Sequence, residues 1–206
     1  MRVTIVDYQA GNLTSVVKAF RHLEADVEIT AHDLSLINNA ERIVLPGVGH
    51  FAATQRLEAT GMTSVIRSAI ARGVPFLGIC VGMQWLYAGS AEAEGQVGLE
   101  HFNESCTRFP ECNLKVPHVG WNALDPRPGS RLLAGVEPGT YVYFTHSYRA
   151  PVTADTCAAA TYIDDFAAAV ERRNVAGVQF HPEKSAAAGL RILQNFLTWE
   201  RDGEPC

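Results

Sequence analysis

Residues 74–83 read Val-Pro-Phe-Leu-Gly-Ile-Cys-Val-Gly-Met, and the fold turns on the reading of this stretch. A short apolar run, Val74 to Ile79, ends in Gly78-Ile79-Cys80-Val81-Gly82, and helix-compatible residues follow from Gln84 to Tyr87. This is the pattern of a nucleophile elbow, G-x-[nucleophile]-x-G, with Cys where many hydrolases carry Ser. A residue at the apex of a sharp strand-to-helix turn has a strained backbone, and side chains two positions away on either side would collide. Gly78 and Gly82 remove those side chains. A helix starting just after Cys80 aims N–H groups and a positive dipole end at the sulfur, which favours thiolate and offers a donor to an oxyanion. The plainer alternative is a buried structural Cys between two glycines that serve close packing.

Working outward, a strand-loop-helix unit opens the chain. Arg2 to Asp7 is a β-branched first strand, Tyr8 to Asn12 a loop, and Leu13, Val16, Val17, Phe20 and Leu23 have helical spacing. Asp26 to Thr30 is a second strand, and Arg42 to Leu45 a third that runs into Pro46-Gly47-Val48-Gly49. Such a Gly-rich loop lets backbone N–H groups approach a ligand, although by itself it is equally a plain turn. Met62 to Ala71 reads as a helix with Gly73 closing it. Strand, helix, strand, strand, helix, strand predicts an α/β fold with a doubly wound, mostly parallel sheet, in which ligands bind beyond the carboxyl ends of the strands. Asp7-Tyr8, the Pro46–Gly49 loop and Cys80 all lie at such ends.

The second half predicts antiparallel hairpins beside that sheet: Gly98 to Asn103, Lys115 to Leu124, Gly139 to Arg149 and Thr156 to Ile163. Val175 to Phe180 is a further buried strand, and Ala187 to Arg201 an amphipathic helix with Leu190, Leu193, Phe196 and Leu197 on its core face. No repeat or linker interrupts residues 1–206, so one domain is expected.

Composition narrows the function classes. A net charge of −5 over 206 residues lacks the basic stripe of a nucleic-acid surface. No apolar run approaches the roughly 18 residues of a membrane span, and the N-terminus reads as a strand rather than a signal peptide; an odd cysteine count without a dense framework makes a reducing cytoplasm the expected compartment. The five cysteines (Cys80, Cys106, Cys112, Cys157 and Cys206) form no disulfide framework. His101, Cys106, Cys112 and His118 do not match the paired spacing of zinc ligands, so no metal is expected. Neither G-x-G-x-x-G nor a Walker A motif follows the first strand, which argues against a bound nucleotide cofactor.

A cysteine nucleophile needs a base. Of the seven histidines, His22 and His32 fall in helix or surface-turn contexts, whereas His181 directly follows an apolar strand. Glu183 stands two residues on, where an extended chain would put both side chains on one side, and Pro182 would keep the segment out of a helix. The carboxylate would then hold the imidazole tautomer and stabilise an imidazolium beside the Cys80 thiolate.

PFLGICVGMQ around Cys80, together with GVQFHPEKS around His181 and Glu183, resembles the class I, triad-type glutamine amidotransferases. VDYQAGNLTSV, LPGVGHF, KVPHVGWN and YFTHSY extend the resemblance across most of the chain, towards the glutaminase subunits of imidazole glycerol phosphate synthase. Relatives serving anthranilate or guanylate synthesis carry His after the elbow glycine and a bare H-P-E-S, where this chain has Met83 and an added Lys184. Glutaminases of vitamin B6 synthesis have G-E-S in place of Pro46–Gly49. The resemblance implies a class I amidotransferase-like (flavodoxin-like) fold, no cofactor, and a Cys80-His181-Glu183 triad acting on glutamine. It also implies an oxyanion hole from the N–H groups of Val81 and the Gly47-Val48 segment, and substrate contacts from Gly47, Gln84, Glu92 and Ser147. Ammonia would pass to a cyclase partner, a (β/α)8 barrel, docked near Asn12, Trp121, Asn122 and Lys184. Two other classes compete: a stand-alone cysteine hydrolase such as a γ-glutamyl peptidase, and a non-catalytic flavodoxin-like module.

Overall fold

Short apolar runs alternating with amphipathic helices force parallel pairing, because each helix returns the chain to the same edge of the growing sheet. The structure, a computed structural model, describes residues 1–10 and 13–200. In chain order the elements of the first part are β1 (Arg2–Val6), α1 (Thr14–His22), β2 (Asp26–Thr30), α2 (Leu34–Asn38), β3 (Ile43–Gly47), α3 (Gln55–Ala59), α4 (Met62–Ala71), β4 (Phe76–Cys80) and α5 (Val81–Gln84). There follow β5 (Gly89–Ser90), β6 (Ser105–Arg108), β7 (His118–Ala123), β8 (Asp125–Pro126), β9 (Tyr141–His146) and β10 (Tyr148–Arg149). The last are β11 (Thr156–Thr161), β12 (Asp165–Arg172), β13 (Val175–Val178) and α6 (Ala186–Leu197), with single 3-10 turns at Phe51–Thr54 and Pro182–Lys184.

The main sheet has the order β2-β1-β3-β4-β13-β12-β11-β8. Its first five strands are parallel, and the last three run antiparallel to their neighbours. The mostly parallel α/β architecture is therefore the one expected. Strands β3, β4 and β13 are buried throughout, as a sheet covered on both faces requires. Helix α1 packs with α6, and α4 packs with α2 and α3. Two small sheets lie apart from the main one: β7 pairs antiparallel with β9, and β6 joins β5 to β10.

Five readings change. Gly98 to Asn103 is no strand; Leu99, His101 and Phe102 donate instead to the carbonyls of Trp85 and Leu86 at 2.6–3.0 Å, so the segment closes over the end of α5. Strand β12, Asp-Phe-Ala-Ala-Ala-Val-Glu-Arg, escapes pattern reading because alanine has low strand propensity; central position in the sheet overrides it. The short helices α2 and α3 lack the length that makes periodicity visible. The elbow helix begins at Val81, directly after Cys80, and lasts four residues, so its N–H groups matter more than any long dipole. The closing helix ends at Leu197, and Arg201 and Cys206 lie outside the described residues.

The elbow glycines are sterically required. A Cβ on Gly82 would stand 1.8 Å from the Leu45 carbonyl oxygen, and one on Gly78 2.4 Å from the Gly82 carbonyl oxygen. Both obstacles are backbone, which cannot move without breaking β3–β4 pairing. Gly82→Ala should therefore destabilise the protein by about 3 kcal/mol or prevent folding. Chemical denaturation reads this directly, and a wild-type midpoint would contradict it.

Candidate active site

Strand β4 delivers Cys80 to the sheet's carboxyl edge with φ 55° and ψ −109°, a left-handed backbone that a non-glycine residue adopts only under constraint. The side chain is 3% exposed. Register places Gly47 of β3 opposite Cys80 on one side, while Val178 of β13 pairs with Ile79 on the other. The chain leaving β13 must then pass Cys80, and His181 arrives there. The sulfur contacts the Thr145 carbonyl at 3.9 Å and receives the Gln179 amide at 3.7 Å.

His181 and Glu183 meet as the sequence predicts, by a different route. The His181 Nδ1 to Glu183 Oε1 distance is 2.9 Å. His181 is extended (φ −100°, ψ 95°), but Pro182 opens a 3-10 turn that swings the carboxylate back onto the ring. Proline is well placed at a helical first position, since its missing N–H would have no partner there. The same residue that was expected to exclude a helix thus starts one. Ser185 locks the turn: its hydroxyl donates to His181 O at 2.7 Å and accepts from Tyr143 N–H at 3.0 Å.

Burial alone would push the His181 imidazole below its ordinary value. The Cys80 and Glu183 side chains outweigh that and raise it from 6.5 to about 10. A protonated His181 is therefore favoured in the folded state. Two further histidines, His146 in the cavity wall and His118 behind it, behave oppositely. His118 Nδ1 and His146 Nε2 lie 3.1 Å apart, and burial lowers them to about 4 and about 3. Both are neutral.

Cys80 and His181 open into a cavity of about 270 Å³ that is also lined by Val48, Val81, Gln84, Glu92 and Ser147. Five predicted residues thus converge on the predicted pair. Gly47 does not line it; it faces a smaller void behind, together with Val48, His181 and Glu183. The Glu92 carboxylate accepts from Phe51 N–H at 2.7 Å, which ties its loop to the turn after β3. The Val48 N–H donates to Ala10 O at 3.3 Å, so this expected oxyanion donor is engaged elsewhere.

Of the expected docking residues, Trp121 is 52% exposed, its ring edge-on to Tyr143 at 6.2 Å. Lys184 is exposed, and its Nζ sits 5.8 Å from the Tyr143 ring centre. These three share one surface with exposed Val119 and Tyr141. Asn122 is turned inward, its amide donating to Thr161 O at 2.9 Å, and Asn12 lies outside the described residues. Gln179 was missed. Its signal was a lone amide in the apolar run VAGVQF, two residues before His181 on the same side of an extended chain. Among the described residues no three His, Cys, Asp or Glu side chains form a metal-binding group, and no helix is long and apolar enough to cross a membrane.

Residues 4–199 match the family model of class-I glutamine amidotransferases. A Salinibacter ruber protein named imidazole glycerol phosphate synthase subunit HisH is 46% identical over 204 residues, covering 94% of this chain and 92% of its own. A Methanosarcina acetivorans protein of the same name is 41% identical over 199 residues, covering 95% and 98%. The chain belongs to the class-I glutamine amidotransferases, among the HisH subunits of imidazole glycerol phosphate synthase. Solved amidotransferase structures share the fold. One glutamine amidotransferase superposes with a TM-score of 0.74 at 16% identity, covering 95% of this chain and 96% of its own. PurLQS of Thermotoga maritima gives 0.71 at 18% identity, covering 95% and 97%.

This amidotransferase carries a testable charge at His181. With an ordinary value of 6.5 and a folded value of about 10, the protonated ring stabilises the fold fully below about 6.5. That contribution is lost as pH rises through about 10. Glu183→Gln removes one of the two partners and should lower the folded value. The gap in thermal midpoint between wild type and Glu183→Gln should therefore shrink between about pH 7 and about pH 10. A gap independent of pH would show that the carboxylate acts on packing alone.

Proposed function

We propose that residues 1–206 form one cytoplasmic amidotransferase domain that hydrolyses glutamine and hands the ammonia to a cyclase subunit. The observation that carries this reading is the juxtaposition of a strained, cavity-facing Cys80 with the His181–Glu183 pair. The Cys80 thiolate attacks the side-chain amide carbon of glutamine, forming a C–S bond and a tetrahedral oxyanion. Val81 opens α5, where the first N–H groups have no intrahelical partner, and donates to that oxyanion. Val48 adds a second donor once its N–H exchanges Ala10 O for the oxyanion; Gly47 holds that loop against the Cys80 strand. The His181 imidazolium protonates the amide nitrogen as collapse breaks the C–N bond, so ammonia leaves, and Glu183 keeps the ring oriented. Water then attacks the glutamyl thioester and gives its proton to His181, releasing glutamate and the thiolate. Gln84, Glu92 and Ser147 hold the amino-acid end of the substrate, Glu92 being the charge suited to an α-ammonium.

The cyclase partner is a (β/α)8 barrel that combines the ammonia with a phosphoribulosyl-aminoimidazole substrate, giving imidazole glycerol phosphate and aminoimidazole carboxamide ribotide. Trp121, with Tyr143 and Lys184 beside it, supplies an aromatic anchor of the kind that centres an interface. This surface favours a partner-dependent glutaminase over a stand-alone hydrolase. Asn12 belongs to the same expected contact, whereas Asn122 faces away from this surface toward Thr161.

Ammonia release from glutamine, measured for the subunit alone and with the cyclase and its ligand, tests both halves. Cys80→Ala should abolish release while ammonia-dependent synthesis by the assembled enzyme survives. Lys184→Ala should lower the stimulation by the partner about fivefold, the size of a roughly 1 kcal/mol rim interaction, and change the basal rate less. Near-normal release by Cys80→Ala would remove the nucleophile. An unchanged stimulation factor in Lys184→Ala would remove its coupling role.

A further inference from the structure

A chain of buried amides runs from a backbone carbonyl to the Cys80 sulfur, and its direction is dictated at one end. Tyr148 O can only accept. Gln84 lies against it, so the Gln84 side chain must present nitrogen there, and Nε2 donates at 3.0 Å. A reversed Gln84 would set two acceptors face to face. The second Gln84 proton goes to Gln179 Oε1 at 3.1 Å. Gln179 must then present its own nitrogen on the far side, where Nε2 meets Cys80 Sγ at 3.7 Å. Gln179 is fully buried and Gln84 is 3% exposed, so water does not compete for these groups.

The carbonyl at the head of the chain is itself held. His146 Nδ1 lies 2.9 Å from Tyr148 O and must donate to it, which leaves His146 Nε2 as acceptor for the His118 Nδ1–H. The neutral histidine pair and the glutamine pair therefore converge on one oxygen, the Tyr148 carbonyl.

From this geometry we propose that Gln179 stabilises and aims the Cys80 thiolate, its N–H locked toward the sulfur by the Gln84–Tyr148 chain. The inference rests on the reading of Cys80 as nucleophile. A thiol at that position has the Thr145 carbonyl as acceptor for its proton; when the proton leaves, that contact turns repulsive and the Gln179 donor becomes the favourable one. A donor fixed on one side also restricts the sulfur's rotamer, and that prepares the direction of attack. The family resemblance implies that Gln84 contacts the substrate; its nitrogen has a further duty in polarising Gln179.

The test reads the sulfur itself. Alkylation of Cys80 by iodoacetamide is followed across pH by peptide mass spectrometry, in the full chain with and without its cyclase subunit. Gln179→Leu removes the donor at similar volume, and should raise the pH midpoint of Cys80 alkylation by about one unit. Gln179→Glu keeps the shape but sets a carboxylate against the thiolate, and should raise it further. Gln179→Met serves if the leucine variant does not fold. The other titratable groups facing the site, His181, Tyr8, His146, Tyr148 and Glu92, are unchanged in all three variants. The order Glu above Leu or Met above wild type supports the proposal. A midpoint unmoved in the folded variants, with only a lower melting temperature, overturns it. The nucleophile reading falls separately, by glutaminase activity surviving in Cys80→Ala.

Discussion

The site depends on one constraint, the backbone of Cys80 held at φ 55° between β4 and α5. A left-handed cysteine costs on the order of 1–3 kcal/mol and persists only where its surroundings over-determine it. They do so here from three directions. Gly82 rests against the Leu45 carbonyl of β3, Gly78 lies under the first turn of α5, and Gly47 pairs with Cys80 itself. The neighbouring strands thus hold the turn as a tightened joint.

Sheet order does the rest. Strand β13 is far from β4 in sequence and adjacent in space, and parallel pairing sends both chains out at the same edge. Cys80 and His181 therefore meet without any long loop to position them. Strand β9 adds the outer wall. Its Tyr143 accepts from His181 N–H at 2.9 Å and donates to Ser185, while its other end carries His146 and leads to the Tyr148 carbonyl. The same strand presents Tyr143 to Trp121 and Lys184 on the outside. One strand thus touches the exposed Trp121 surface, His181 and the amide chain behind Cys80.

Much of this was legible in sequence because it is local. The elbow glycines, the helix Met62–Ala71 and the strand Asp26–Thr30 follow from steric need, 3.6-residue spacing and β-branching. His181 and Glu183 were legible as a pair because they sit two residues apart at a strand end. Their geometry was not, since a 3-10 turn and an extended chain can both bring such neighbours together. The alanines of β12 carry no signature of a strand; only their neighbours β11 and β13 make them one. Gln179 was hidden for the related reason that its meaning lies in Gln84 and Tyr148, remote in sequence. The engagement of Val48 N–H with Ala10 O likewise belongs to tertiary structure alone.

Reactivity toward a glutamine analogue bearing an electrophile tests the central claim most directly, because such a reagent must be bound as substrate and attacked by the nucleophile. Cys80 sits in the cavity beside His181, whereas burial pushes the Cys106 thiol well above its ordinary range and the Cys157 thiol up to about 12. Mass spectrometry of the labelled protein should place one adduct on Cys80 and spare Cys106, Cys112, Cys157 and Cys206, and excess glutamine should suppress it. Preferential labelling of another cysteine, or labelling of Cys80 that glutamine does not suppress, would contradict the assignment of this turn as the catalytic centre.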